Sequence, residues 1–396
     1  MTAVAAPKAA AQPTPPTRDG SPTAWVASWS GAPNAVPSAA ITYLANQTVR
    51  QVLHTSIGGS ALRVRLTNEF GDVAIRFGEV HVARRAGSTQ TAIDPATDRR
   101  VTFGGSGSVV IPAGSPAVSD PVDLDLPGGS DLVVSVYLPE RTAVTTEHAY
   151  ALQVNAVADG NVTSAATVTP TARPESVYFV SGVSVKADHQ SASIVTLGDS
   201  ITDGGKSTVG ANRRWPDLLA KRLRSARDFP QRGVANAGIS GNRLLHDPNP
   251  PVGSGAEAYA LTFGPSALRR FDRDVLAQPA AAFVITLLGV NDVGQPGNVA
   301  PASEAVTADE LIAGHQQLIA RAHTEGLAIV GGTIMPFKDD ALGFWSEANG
   351  AKRNAVNDWI RHSGSYDAVI DFAKVVADPS DPDKLAAKYS SGDGLH

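Results

Sequence analysis

Hydrophobic and polar positions follow two different rhythms along this chain. Between about 23 and 188 they alternate singly over short stretches. Leu62, Val64 and Leu66 interleave with Arg63, Arg65 and Thr67, and Val122, Leu124 and Leu126 interleave with Asp123 and Asp125. Similar runs lie at 75–82, 132–138 and 177–185, separated by Gly, Pro and Asp. A period of two is that of a strand with one buried face. Short strands divided by turn residues predict an antiparallel β-sandwich or jelly-roll-like domain over 23–188.

From about 189 the rhythm changes. Apolar, β-branched blocks at 193–198, 234–238, 282–289, 328–334 and 368–372 read as buried strands. Amphipathic stretches separate them. One helix is expected over 215–228, and a second carries Leu268, Phe271, Val275 and Leu276. A third opens at Thr307-Ala308-Asp309-Glu310, which has the form of a capping box. Strand and helix in alternation predict a doubly wound α/β domain over 189–396, its parallel sheet covered on both faces. Residues 1–22 are dominated by Ala, Pro and Thr and read as a disordered leader.

Composition narrows the function classes. The chain has 396 residues, 42% hydrophobic and 18% charged, and a net charge of −5. Those values suit a globular protein and, with no long basic run, argue against nucleic acid or an anionic membrane as main partner. No apolar stretch approaches the ~18 residues of a membrane span. Cysteine is absent, which excludes disulfides, thiolate metal sites and a cysteine nucleophile. No metal-ligand spacing stands out, and no cofactor is expected. The leader lacks the apolar core of a signal peptide but suits the mature start of an exported protein. A secreted location is the expectation, with a cytoplasmic one left open.

The chemistry gathers where strands end. The first strand breaks into Gly198-Asp199-Ser200, the second into Ile239-Ser240-Gly241-Asn242, the third into Val290-Asn291-Asp292. In a parallel sheet these exits share one rim, where ligands bind in open α/β folds. The segment Gly392-Asp393-Gly394-Leu395-His396 can reach the same rim. A serine hydroxyl needs a base to take its proton, for which His396 is the candidate, with Asp393 to orient it. The oxyanion formed on attack needs donors aimed at it, each worth about 3–4 kcal/mol of barrier. The amides of Ser200 and Gly241 and the side chain of Asn291 are candidates.

These four signals resemble, in order, the four blocks of the SGNH, or GDSL-type, esterases and lipases. The Gly198-Asp199-Ser200, Asn236-Ala237-Gly238-Ile239-Ser240-Gly241-Asn242, Gly289-Val290-Asn291-Asp292 and Asp393-Gly394-Leu395-His396 segments carry the likeness, over about 190–396. The run Asn212-Arg213-Arg214-Trp215-Pro216-Asp217 is similar to secreted actinobacterial members with a β-rich domain ahead of the hydrolase. The resemblance implies a three-layer α/β/α sandwich with a five-stranded parallel sheet. It also implies metal-independent hydrolysis of carboxylic esters by Ser200, His396 and Asp393, through an acyl-serine. Ser200, Gly241 and Asn291 would form the oxyanion hole, and Asn242 and His246 would line the substrate groove.

The family usually continues past its histidine into a final helix, so restoring such a helix is expected to raise activity. Short-chain acyl esters, acetyl groups on polysaccharide among them, are the first expected substrate. A lipase, phospholipase or acyltransferase of the same family is the alternative. From another class comes a glycan-binding protein with an inactive hydrolase domain. A monomer is expected.

Overall fold

The computed structural model describes residues 23–87, 91–226 and 229–396. The leader expected over 1–22 and the last two positions of the helix expected over 215–228 lie outside the described residues.

The first part is built from antiparallel strands: β1 (Thr23–Ser30), β2 (Gln47–His54), β3 (Gly59–Thr67), β4 (Glu79–Arg84), β5 (Val122–Leu126), β6 (Asp131–Leu138), β7 (Thr146–His148), β8 (Ala156–Asp159) and β9 (Val180–Asp188). One sheet runs β1–β9–β3, with β5 beyond β3. A second runs β8–β2–β6–β4. The alternation read from sequence sets the faces. Leu62, Val64 and Leu66 are fully buried, whereas Arg63 and Arg65 between them are not. Residues of both sheets, among them Leu53, Val80, Val134 and Val183, share a single apolar core.

The second part holds a parallel sheet of β10 (Ala192–Gly198), β11 (Arg232–Gly238), β12 (Ala281–Leu287), β13 (Ala328–Gly332) and β14 (Ala368–Ile370). Its order is β11–β10–β12–β13–β14, parallel throughout. The expected strands are all present, three of them shorter than the pattern implied. Strand β12 stops at Leu287 because the chain turns at Gly289, whose φ is +121°, a conformation open to glycine. Strand β13 ends where its pairing ends, at Gly332 opposite Ile370. Beyond Ile370 the carboxylate of Asp371 caps the next helix by accepting from the Lys374 amide, so β14 stops there.

The helices are α1 (Ser200–Asp203), α2 (Trp215–Ser225), α3 (Ala267–Phe271), α4 (Val290–Gly294), α5 (Ala308–Thr324), α6 (Glu347–His362) and α7 (Phe372–Val376). At α5 the expected capping box is formed. Thr307 Oγ1 accepts from the Glu310 amide at 3.2 Å, and the Glu310 carboxylate accepts from the Thr307 amide at 2.7 Å. Helix α2 packs on β11 and α5 on β13. The strand order reverses direction between β10 and β12, and the crevice outside such a switch point is where doubly wound sheets bind ligands. No helix among the described residues is long and apolar enough to cross a membrane.

The two parts meet along a seam of buried serines. Ser193 Oγ accepts from the Ala27 amide at 3.0 Å and donates to the Pro279 carbonyl at 2.6 Å. Ser30 Oγ donates to the Asn236 carbonyl at 2.8 Å, and Ser56 Oγ accepts from the Val234 amide at 2.8 Å. Ala27 and Ala32 pack into the apolar core of the second part.

Candidate active site

Ser200 leaves β10 at the switch point. Asp199 forms the N-cap of α1, its carboxylate accepting from the Ile201 amide at 3.0 Å. Ser200 is thus the first residue of the helix, and its own N–H is one of those no helical carbonyl can reach. Its Oγ lies 2.7 Å from His396 Nε2. The other ring nitrogen, Nδ1, lies 2.8 Å from Asp393 Oδ2. A carboxylate only accepts, so Nδ1 carries the proton and Nε2 is left to accept from the Ser200 hydroxyl.

The loop bearing His396 is held on several sides. Asp393 Oδ1 accepts from the amides of Leu395 and His396 at 3.0 and 2.8 Å, and its carbonyl accepts from the Ala341 amide at 2.8 Å. Leu395 is buried in the core of the second part. Burial alone would raise the Asp393 carboxyl, but these amides and the imidazole hold it well below the usual carboxylate range. A Cβ at Gly205 would stand 2.9 Å from the His396 ring and 3.2 Å from Ser200 Cβ, so this position must be bare for serine and imidazole to meet.

Gly241 and Asn291 come from the neighbouring strand exits. Gly241 has φ +79°, and an added Cβ would fall 2.2 Å from the Phe263 ring. Among the described residues its N–H has no hydrogen-bond partner, while its carbonyl accepts from Gln295 Nε2 at 2.7 Å. Asn291 is buried and donates one amide hydrogen to the Asn242 carbonyl at 3.0 Å. Asp292 accepts from the amides of Leu244 and Leu245 at 2.8 and 3.0 Å. Helix α4 is therefore tied three times to the Gly241 loop, which fixes the two sets of donors relative to each other.

Two buried acids back the site. Burial pushes the Asp199 carboxyl up to about 7, against the Ile201 hydrogen bond and with help from the nearby Asp292 charge. Burial raises Asp292 as well, against the amides it accepts from. Beside them, fully buried Arg270 donates through Nε to Asn242 Oδ1 at 3.0 Å, through Nη1 to the Ala237 carbonyl at 2.6 Å and through Nη2 to the Gly198 carbonyl at 2.9 Å. One guanidinium thus fastens the ends of β10 and β11 to the loop that follows β11. Nη1 also meets Asp274 Oδ2 at 3.0 Å.

Five of the seven residues expected at the site, Ser200, Asp393, His396, Gly241 and Asn291, sit on the rim formed by these strand exits and the Asp393 loop. The expectation for Asn242 needs correction. It is fully buried, with Nδ2 donating to the carbonyls of Phe263 and Pro265 at 2.7 and 2.8 Å and Oδ1 taken by Arg270, so its side chain braces the loop and offers substrate nothing. His246 is half-buried and makes no hydrogen bond to Ser200, Asp393 or His396; the Asp292, Glu304 and Glu310 carboxylates act on it electrostatically. Arg270 and Gln295 were not foreseen. The site partners that give them their roles lie 28 to 72 residues away; the one local partner, Asp274 for Arg270, does not point to the site. No group of His, Asp or Glu among the described residues is placed to hold a metal ion.

A family model described as GDSL-like lipase/acylhydrolase matches residues 196–396. No curated protein matches the chain. Among solved structures, a protein described as a lipolytic member of the G-D-S-L family from Desulfitobacterium hafniense DCB-2 is 17% identical, with 52% of this chain and 90% of that chain covered and a TM-score of 0.36. A GDSL-like lipase from Bacteroides thetaiotaomicron VPI-5482 is 16% identical over 52% of this chain and 78% of that one, TM-score 0.33. Axe2, an acetylxylan esterase from Geobacillus stearothermophilus, is 20% identical over 46% of this chain and 75% of that one, TM-score 0.33.

Proposed function

The chain belongs to the GDSL-like lipase/acylhydrolase family and is a carboxylic ester hydrolase; from that premise we propose that it works through an acyl-serine on Ser200. The observation that carries this reading is the unbroken path from Ser200 Oγ through His396 to Asp393, 2.7 and 2.8 Å long. Ser200 Oγ attacks the ester carbonyl while His396 Nε2 takes its proton. Asp393 accepts from Nδ1 throughout and stabilises the imidazolium. The carbonyl oxygen, now an anion, receives the N–H groups of Ser200 and Gly241 and the free amide hydrogen of Asn291. Collapse expels the alcohol, protonated by His396, and leaves the acyl group on Ser200. Water then gives a proton to the same nitrogen and attacks the acyl carbon; collapse breaks the bond to Ser200 Oγ, which takes the proton back from His396, and the acid leaves.

The substrate we propose is a short acyl ester, acetyl among them, carried on a polysaccharide. Support comes from the border of the site. The loop after β7 touches the segment that follows the serine: Gln153 Nε2 donates to Asn212 Oδ1 at 2.6 Å, and the Gly210 amide donates to the Leu152 carbonyl at 2.8 Å. The β-rich part thereby abuts the segment that follows the serine. Tyr150 on that loop and Tyr259, whose ring meets the Phe263 ring beside Gly241, are 47% and 45% exposed, the kind of open aromatic faces on which sugar rings pack.

A chain-length series of nitrophenyl esters together with acetylated xylan, run on the protein and on Ser200→Ala, tests both statements. Turnover is expected to be greatest at the acetyl ester, to include xylan, and to vanish in the variant. Turnover that climbs with chain length would overturn the substrate reading in favour of a lipid ester. Persistence in Ser200→Ala would overturn the nucleophile.

A further inference from the structure

The strand β7 belongs to the antiparallel part, yet its last residue reaches the serine's helix. His148 and Asp203 are almost wholly buried, and His148 Nε2 stands 3.2 Å from Asp203 Oδ1. Asp203 is the last residue of α1, three positions beyond Ser200. Its other oxygen, Oδ2, accepts from both the amide and the hydroxyl of Ser240, each at 2.8 Å. Ser240 immediately precedes Gly241. One carboxylate therefore joins the nucleophile's helix, the loop of the oxyanion glycine and a side chain from the other half of the chain.

The hydrogen bond on the far side of the ring shows what holds this contact together. His148 Nδ1 lies 3.1 Å from the Ala32 carbonyl, which can only accept, so Nδ1 carries a proton. A neutral ring would then turn the lone pair of Nε2 toward a buried carboxylate oxygen. The contact is attractive only if a proton lies between Nε2 and Oδ1. Oδ1 has no hydrogen-bond partner besides this ion contact. Removing His148 would leave half of a buried carboxylate without compensation.

We propose that His148 is a positioning residue for ester hydrolysis: supplied by the β-rich part, its ring pins Asp203 through the proton held between them and thereby sets the distance between the Ser200 and Gly241 amides. The inference rests on the acyl-serine reading. Displacing one oxyanion donor relative to the other weakens binding of the transition state and leaves ground-state binding alone, so the loss falls on kcat.

Two substitutions separate positioning from mere support. In His148→Asn the side-chain amide takes the place of Nδ1 and keeps the bond to Ala32 but loses Asp203. In His148→Gln it takes the place of Nε2 and keeps a donor toward Asp203. With nitrophenyl acetate, His148→Asn is expected to lose on the order of 100-fold in kcat at nearly constant KM, and His148→Gln to recover most of it. Wild-type kcat in His148→Asn, or the reverse order of the two, would overturn the proposal. Stoichiometric labelling of the wild type by a fluorophosphonate separates the two readings. An unlabelled Ser200 removes the acyl-serine premise and this proposal with it, whereas labelling with no His148 effect removes the proposal alone. Should His148→Asn not fold, His148→Leu, which removes the donor to Asp203, is compared with His148→Gln, and Ser240→Ala is made in both. Loss of kcat in His148→Leu that does not add to that of Ser240→Ala, while His148→Gln stays near wild type, is expected; wild-type kcat in His148→Leu or simple additivity there overturns the proposal.

Discussion

Arg270 Nη2 donates to the carbonyl of Gly198 at 2.9 Å, although the two residues are 72 positions apart. The same guanidinium takes Ala237 O and Asn242 Oδ1, so a single buried cation sets the spacing of the two strand ends that lead to Ser200 and Gly241. Arg270→Met would strand these acceptors in the interior, each at about 1–3 kcal/mol. A loss of about 3–5 kcal/mol in urea unfolding is expected. A loss under about 1 kcal/mol would mean that the guanidinium is dispensable there.

Asp393→Asn keeps the shape of the orienting group but removes its charge and its preference for a protonated Nδ1. We expect kcat to fall on the order of 10⁴-fold, the size met when the carboxylate of a Ser-His-Asp triad is neutralised. KM should change little, because Asp393 faces the imidazole and not the substrate. Steady-state kinetics on nitrophenyl acetate provide the check, and a loss confined to KM would contradict the assignment.

Gly241→Ala meets two obstacles at once, a left-handed backbone and the Phe263 ring 2.2 Å from the new Cβ. The loop must shift, and its amide with it. The expected result is a drop of about 10²–10³ in kcat, that of one lost oxyanion donor, with Ser200 still labelled by a fluorophosphonate at a reduced rate. Undiminished turnover would remove Gly241 from the oxyanion hole. Asn291→Ala should give a loss of the same order.

Asp199 gives the fold a pH dependence of its own. Its ordinary value is 3.8 and burial lifts it to about 7 in the folded protein. Between the two, the native state keeps a proton that the unfolded chain has released. The stability from this group is therefore whole below 3.8 and is lost as pH rises through 7. Asp199→Asn keeps an oxygen for the Ile201 amide and cannot ionise. Relative to the wild type it should gain about 2–3 kcal/mol between pH 5 and pH 8, read from urea midpoints. A difference independent of pH would refute the buried ionisation.

What the sequence disclosed follows from the range of the forces involved. The five parallel strands and the capping box at Thr307 are written in neighbouring residues, and so are Ser200, Gly241 and Asn291, because a strand exit is a local event. His396 and Asp393 were legible for the same reason, lying three positions apart. Asn242 was misread for want of distant information: its amide is consumed by Phe263 and Pro265, 21 and 23 positions on, a path no periodicity reveals. Arg270, Gln295 and His148 escaped because each acts across a gap that only the folded chain closes.

The buried serines between β1 and the parallel sheet carry a consequence for inheritance. Cutting the chain near 190 would strip the Ala27 amide from Ser193, the Ser56 hydroxyl from the Val234 amide and the Ser30 hydroxyl from Asn236, and would bare the apolar surface that Ala27 and Ala32 cover. The catalytic half is thus not a portable cassette. Drift on either side of the joint is constrained by the other, and the two halves are expected to melt in one transition and to travel through evolution as a pair.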